Sequence, residues 1–305
     1  MTIHDPNAPQ RGRVLALGFF DGVHRGHQAI LQTAAAVAAQ RGLQPAALTF
    51  ETHPRAFVRG RAPELIVSFP ERCRLLQENG AELVIALPFD QRMAETSPAD
   101  FAAMLVERYG ARAVVCGENF RFGSHAAGTP ETLRALGLDT HVVPPVKLRG
   151  AVVSSTRIRE CVREGKVGLA RELLGRPFSL EGPIVGGFQM GRSLGFPTIN
   201  TQTEPGALLP RKGVYVTAVA LEGHVFRGVT NVGTRPTFSD AGILSVESHL
   251  LNFSGDVYGE QARVSFLKYL RPEQSFSSGE ALREQIARDV SQALHWKDGG
   301  KIFRP

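Results

Sequence analysis

The sequence predicts an α/β domain built on a parallel sheet, followed by a β domain of sandwich or barrel type closed by one helix. Three observations carry this. In the first half, apolar strand-like runs alternate with helical patterns. After Gly175-Arg176-Pro177 the pattern changes to closely spaced strands joined by short turns such as Glu222-Gly223. The chain ends on an amphipathic stretch in which Leu282, Ile286, Val290 and Leu294 recur on one face. With 305 residues there is room for two domains of ordinary size.

The elements follow in order. Strands are expected at Val14–Leu17, Ala46–Phe50, Leu83–Leu87, Ala113–Cys116 and His141–Val143. Between the first two, Ile30, Leu31, Ala34, Val37 and Ala38 share a helix face, and Gly42 stops that helix. Further helices are expected over Pro70–Asn79, Pro98–Tyr109 and Pro130–Leu136. Each opens on a proline, which tolerates the first turn because its missing N–H would have no partner there. The second half reads as strands at Phe178–Val185, Gly213–Leu221, His224–Val232, Ile243–Leu251 and Gln261–Tyr269. The boundary falls between Arg176 and Gly182, which gives domains of 1–178 and 179–305.

Composition narrows the function class. Hydrophobic residues make up 43% and charged residues 21%, the balance of a globular protein in water. No apolar run approaches the roughly 20 residues of a membrane span, and the first ten residues lack a signal-peptide core. Cys73, Cys116 and Cys161 have no paired spacing, so a reducing cytoplasm is expected. Cys116 ends an apolar run and reads as a core thiol. The net charge of +6 is spread, with +2 of it from Arg176 onward and no basic block. That favours small anionic substrates over nucleic acid.

The run from Ala16 to His27, Ala-Leu-Gly-Phe-Phe-Asp-Gly-Val-His-Arg-Gly-His, carries the chemistry. It joins a strand to a helix through a glycine turn, a natural cradle for phosphate. Backbone N–H groups approach the anion there, and the helix end carries about half a positive charge. His24 and His27 can donate to phosphoryl oxygens as charge builds. A zinc half-site is the weaker reading, because no acidic residue follows the first histidine. The run resembles the HxGH signature of nucleotidyltransferases. A second signal is Val153-Ser154-Ser155-Thr156-Arg157-Ile158-Arg159. Ser155 or Thr156 can cap a helix whose first turn then holds two arginines, where the dipole disfavours cations. An anionic partner fits, as do surface arginines paired with Glu160 or Glu164.

In the second half, Gly187, Gly191 and Gly195 run into Phe196-Pro197-Thr198-Ile199-Asn200, without the G-x-x-x-x-G-K-[ST] of a P-loop. Alternation in an extended segment puts Thr198 and Asn200 on one side and Ile199 on the other. A hydroxyl and an amide carbonyl converging there suit a hard cation such as magnesium on ATP. Glu247 interrupts an apolar strand, as a solvated glutamate or a functional one.

With these segments the chain resembles the bifunctional bacterial riboflavin kinase/FAD synthetase family, over about 14–294. Matching runs include Leu48-Thr49-Phe50-Glu51-Thr52-His53-Pro54, Leu87-Pro88-Phe89-Asp90, Gly117-Glu118-Asn119-Phe120-Arg121-Phe122-Gly123, Gly228 to Phe238, Val246 to Leu251 and Phe266 to Phe276. The resemblance implies a Rossmann-like HxGH nucleotidyltransferase domain and a riboflavin-kinase-type β-barrel with a closing helix. It implies that riboflavin is phosphorylated to FMN with MgATP, and FMN adenylylated to FAD with release of pyrophosphate. His24 and His27 would contact ATP phosphates in a site shaped by Gly18, Phe20, Asp21, Gly22 and Gly26. Asn119 would help bind substrate. Ser154, Ser155, Thr156 and Arg157 would hold nucleotide phosphates, Arg157 gripping the leaving pyrophosphate. In the second domain Gly191 and Gly195 would approach ATP, and Thr198 and Asn200 would hold Mg2+. Glu247 would act as general base, and Arg235 and Arg271 would contact flavin. Departures are Thr52 for proline, Ile199 for alanine, and Phe188-Gln189-Met190 in a loop that is usually polar or basic. The rival readings are another HxGH nucleotidyltransferase, an aminoacyl-tRNA synthetase and a flavin-binding regulatory paralogue. The C-terminal motifs oppose the first. The absence of a lysine-serine-lysine loop opposes the second, and the intact site residues oppose the third.

Overall fold

The computed structural model describes residues 12–186, 195–234 and 244–297. Two compact units divide the chain between Ser155 and Thr156.

In the first unit, β1 (Arg13–Leu17), β2 (Gln44–Phe50), β3 (Leu83–Leu87), β4 (Ala111–Gly117) and β5 (Thr140–Val143) form a sheet of order β3-β2-β1-β4-β5. All neighbours pair in parallel. Helices cover it, so β1 and β3 are buried at every position, and this is why they read as unbroken apolar runs. On one face Leu15, Leu17, Leu48 and Ile85 pack with Phe101 and Leu105 of α5 (Pro98–Glu107). The helix α1 (Arg25–Arg41) buries the predicted stripe from Ile30 to Ala38, and Gly42 ends it in a left-handed conformation. Three short helices complete this part, α2 (Pro54–Arg59), α3 (Phe69–Glu78) and α4 (Gln91–Glu95). Strand order reverses at β1, so the crevice at the carboxyl ends of β1 and β4 is where this architecture places a ligand. After β4 come α6 (Pro130–Ala135) and a short hairpin of β6 (Lys147–Leu148) and β7 (Ala151–Val152).

The second unit is a closed antiparallel barrel. Its strands are β8 (Phe178–Val185), β9 (Thr198–Thr201), β10 (Gly213–Leu221), β11 (His224–Thr234), β12 (Leu244–Leu250) and β13 (Gln261–Arg271), in the order β10-β11-β12-β9-β8-β13. Closure leaves no free sheet edge. It also forces close approach: a Cβ on Gly182 would lie 1.7 Å from the Gln202 carbonyl oxygen, so only glycine fits there. Before the barrel run α7 (Ser155–Arg163) and α8 (Val167–Leu174), the latter packed on β8 and β13. The last helix, α9 (Gly279–His295), lies on β10 and β11.

The α9 face keeps Leu282, Ile286 and Val290 half-buried, as expected, but not Leu294. Asp289 and Ala293 are its buried residues, and Leu294 is 53% exposed. Two polar anchors turn the helix. Asp289 accepts three hydrogen bonds from Arg271, and Arg227 donates to the Ala293, Leu294 and Trp296 carbonyls. All three cysteines are buried and free.

Candidate functional site

The first site grows from the turn after β1. Phe20 and Val23 take left-handed φ values of 60° and 38°, a strain that persists only where the surroundings hold it, while Gly22 adopts 81° freely. Here Thr49 donates to the Phe19 carbonyl at 2.9 Å. The buried Asp21 carboxylate accepts the Ile66 N–H at 3.0 Å, and Ser155 Oγ donates to the Asp21 carbonyl at 2.9 Å. The turn and the serine motif therefore meet, although far apart in sequence. Ser154 and Ser155 close the first unit, while Thr156 and Arg157 begin the second on α7.

His24 caps α1. Its Nδ1 accepts the His27 backbone N–H at 3.3 Å, so the neutral ring carries its proton on Nε2. The two imidazoles stack at 3.6 Å with planes 15° apart. Gly26 makes this possible, because a Cβ there would press within 3.1 Å of the His24 ring. The first turn of α1 contains no acidic residue, so no carboxylate within it offsets the positive helix end. Burial, and then the charge of His24, push His27 well below the usual imidazole value. Its Nδ1 is buried with no hydrogen-bond partner among the described residues.

Beside the turn lies a cavity of about 1010 Å³ lined by Gly18, Phe19, Phe50, Phe57, Phe89 and Asn119, among others. Aromatic rings dominate it. Phe50 meets Phe89 edge-on at 5.0 Å, and Phe120 stacks on Phe122 at 5.7 Å. Such walls suit a large planar heterocycle, with Asn119 as a polar handle.

In the barrel, register aligns the predicted residues. Glu247 on β12 faces Asn200 on β9 and Asn231 on β11, and His249 faces Thr198. A cavity of about 330 Å³ is lined by Thr198, Asn231, Glu247, His249, Arg271 and Phe276, with Leu282 and Ile286 of α9. A second, of about 560 Å³, is lined by Ile184, Pro197, Thr198, Ile199, Phe253 and Tyr258. Thr198 belongs to both cavities. Its backbone is held by the neighbouring Pro197 carbonyl, which bonds His249 Nδ1 at 2.8 Å. Among the described residues no cluster of three acidic, histidine or cysteine side chains could cage a metal. The neutral oxygens of Thr198 and Asn200 suit a hard cation that arrives with its own phosphate ligands.

Gly195 has φ 87°, while Gly191, Arg235 and the Phe188-Gln189-Met190 departure lie outside the described residues. Sequence reasoning missed Asp289. It is 1% exposed and grips Arg271 Nε and Nη2 at 2.8–3.1 Å, with Gln285 donating to it at 3.0 Å. An aspartate one turn beyond Ile286, on the inner face of a closing helix, was the available signal.

Ile199 was expected to turn away from Thr198. It is buried, at 8% exposure, yet it lines the larger cavity alongside Thr198. Ile199→Ala should cost about 2–5 kcal/mol by removing buried methyl groups. Urea midpoints check this; an unchanged midpoint would show that the side chain is not packed as seen.

Two family models match the chain, FAD synthetase over residues 7–157 and riboflavin kinase over residues 174–297. A bifunctional riboflavin kinase/FMN adenylyltransferase of Pseudomonas fluorescens is 36% identical over 296 residues, covering 95% of each chain. Its counterpart from Escherichia coli K12 is 37% identical over 290 residues, covering 92% of each. A solved structure from Streptococcus pneumoniae, described as a macrolide-efflux protein, superposes with a TM-score of 0.90 at 31% identity, covering 97% of this chain and 99% of that one. Among the described residues of the present chain, no helix is long and apolar enough to cross a membrane.

Proposed function

The chain belongs to the bifunctional riboflavin kinase/FMN adenylyltransferase family, and from that premise we propose how its residues divide the two reactions. The protein phosphorylates riboflavin to FMN with ATP, and adenylylates FMN to FAD with release of pyrophosphate. Adenylyl transfer belongs to 1–178 and phosphorylation to 179–305. The observation that carries the kinase half is Thr198, which stands in the wall between two cavities. One cavity takes the nucleotide and the other the riboflavin. The transferred phosphoryl group then passes beside Thr198 and the Glu247–Asn200 pair. Glu247 takes the proton from the 5′-hydroxyl as its oxygen attacks the γ-phosphorus and ADP leaves. Thr198 and Asn200 hold the magnesium of MgATP, which neutralises phosphate charge. Arg271, aimed by Asp289, lies against the flavin.

In the first unit the FMN phosphate is already a nucleophile and needs no base. It attacks the α-phosphorus of ATP, and pyrophosphate leaves. His24 and His27, the turn from Gly18 to Gly26, and Ser154 and Ser155 stabilise the phosphate charge as the pyrophosphate leaves. The aromatic cavity with Asn119 takes the isoalloxazine. Three buried free thiols support a cytoplasmic setting. Incubating the full chain with riboflavin and MgATP, and resolving flavins by chromatography, should show FMN appearing first and FAD after it. Supplied FMN should give FAD without added riboflavin. A preparation that makes neither flavin would overturn the reading.

A further inference from the structure

Beneath the phosphate turn lies a buried cation that the two reactions leave unexplained. Arg72, on α3, is 1% exposed. Glu71, the neighbouring carboxylate on α3, pairs with Arg74 rather than with Arg72. Arg72 Nη2 donates instead to two carbonyls at the end of β2, Phe50 at 2.6 Å and Glu51 at 3.1 Å. Its Cζ lies 4.1 Å from the centre of the Phe19 ring and 5.3 Å from that of Phe69. Its Nε is buried without a partner. Burial lowers its pKa to about 10, against the opposing pull of the Asp21 charge. An apolar side chain would fill this space at lower desolvation cost. A planar guanidinium does something that an apolar group cannot: it binds a ring by its face and carbonyls by its edge at once.

Two of its four partners, Phe19 and Phe50, line the aromatic cavity, while Glu51 and Phe69 do not. Phe19 lies in the phosphate turn and touches the His53 ring at 4.4 Å. Phe50 forms the opposite wall against Phe89. The start of α3 is tied to the same turn, since Ile66 N–H bonds Asp21 and Ser68 caps the helix.

We infer that Arg72 is a positioning residue of the adenylyl-transfer site, holding the Phe19 turn and the carbonyl end of β2 at the spacing that receives the flavin. The inference rests on the assignment of this cavity to FMN. It is tested in the full chain by steady-state FAD formation from FMN and ATP, with FMN formation from riboflavin followed alongside. Arg72→Met, which keeps bulk and loses both kinds of contact, should raise the KM for FMN at least about tenfold and leave the KM for ATP within about twofold. Arg72→Lys, with charge but no planar fork, should fall between. KM reads only the folded, active molecules, so partial misfolding would lower the apparent kcat without producing this split. Unchanged KM values, or a rise for ATP instead of FMN, would overturn the inference. If Arg72→Met does not fold, Phe19→Leu combined with Arg72→Lys decides. The two substitutions act on one contact, so their combined effect on the FMN KM should be smaller than the product of the separate effects. Independent effects would overturn the inference. A wild-type chain that forms no FAD would instead remove the assignment on which it rests.

Discussion

Glu247→Gln should abolish FMN formation from riboflavin, lowering kcat by about a hundredfold to ten-thousandfold, while FAD formation from supplied FMN continues at the wild-type rate. The size is what a positioned general base contributes. The substitution keeps shape and removes only the capacity to take a proton. Glu247 suits the role by register, since it lies between Asn200 and Asn231 on adjoining strands and lines the cavity that holds Arg271 and Phe276. Removing its charge should leave the barrel folded, because β12 is paired along both edges. Both reactions should be measured on the same preparation. Retained kinase turnover would show that the hydroxyl proton leaves by another route. Equal loss of both chemistries would show one shared centre or strong coupling between two.

Much of the fold was legible because burial writes itself into the residue pattern. Strands β1 to β4 lie under helices on both faces, so each contains a continuous apolar run whose position needs no tertiary knowledge. The short β9, Thr-Ile-Asn-Thr, carries no such signal. It is a strand because β12 and β8 pair with it on either side. The helix α2 is six residues long, and its start is set by His53, whose Nδ1 accepts the Arg55 N–H. That cap looks like nothing in particular until the fold brings Phe19 against the His53 ring.

The site residues divide in the same way. His24, His27 and Gly26 were legible as a group because their spacing is local, and the stacked rings over Gly26 are the geometry of that spacing. Arg72 and Asp289 were not. Each is a charged residue on a helix, which the sequence alone assigns to the solvated face. Each is buried because partners distant in sequence neutralise or bind it: Phe19 and the end of β2 for one, Arg271 for the other. Spacing along one helix cannot reveal a partner on another element.

His27→Ala should lower FAD formation about a hundredfold or more while FMN formation stays near normal, the reverse of the Glu247 variant. A preorganised donor aimed at developing phosphate charge is worth that much in a buried site. Burial and the neighbouring His24 hold His27 neutral in the folded chain well below pH 6.5, so its donor capacity does not depend on protonation at neutral pH. The same shift has a consequence for stability. On acidification below about pH 6.5 the unfolded chain binds a proton at this residue and the folded chain does not. Its favourable contribution is present in full above that value and is lost as the pH falls towards the lowered folded value. The urea midpoint of the first unit should therefore fall more steeply between pH 7 and pH 5 in the wild type than in His27→Ala. The Glu247 variant should follow the wild type. A His27 variant with normal FAD formation would show that this imidazole meets no phosphate. Identical acid slopes in variant and wild type would show that His27 is not held neutral by the fold.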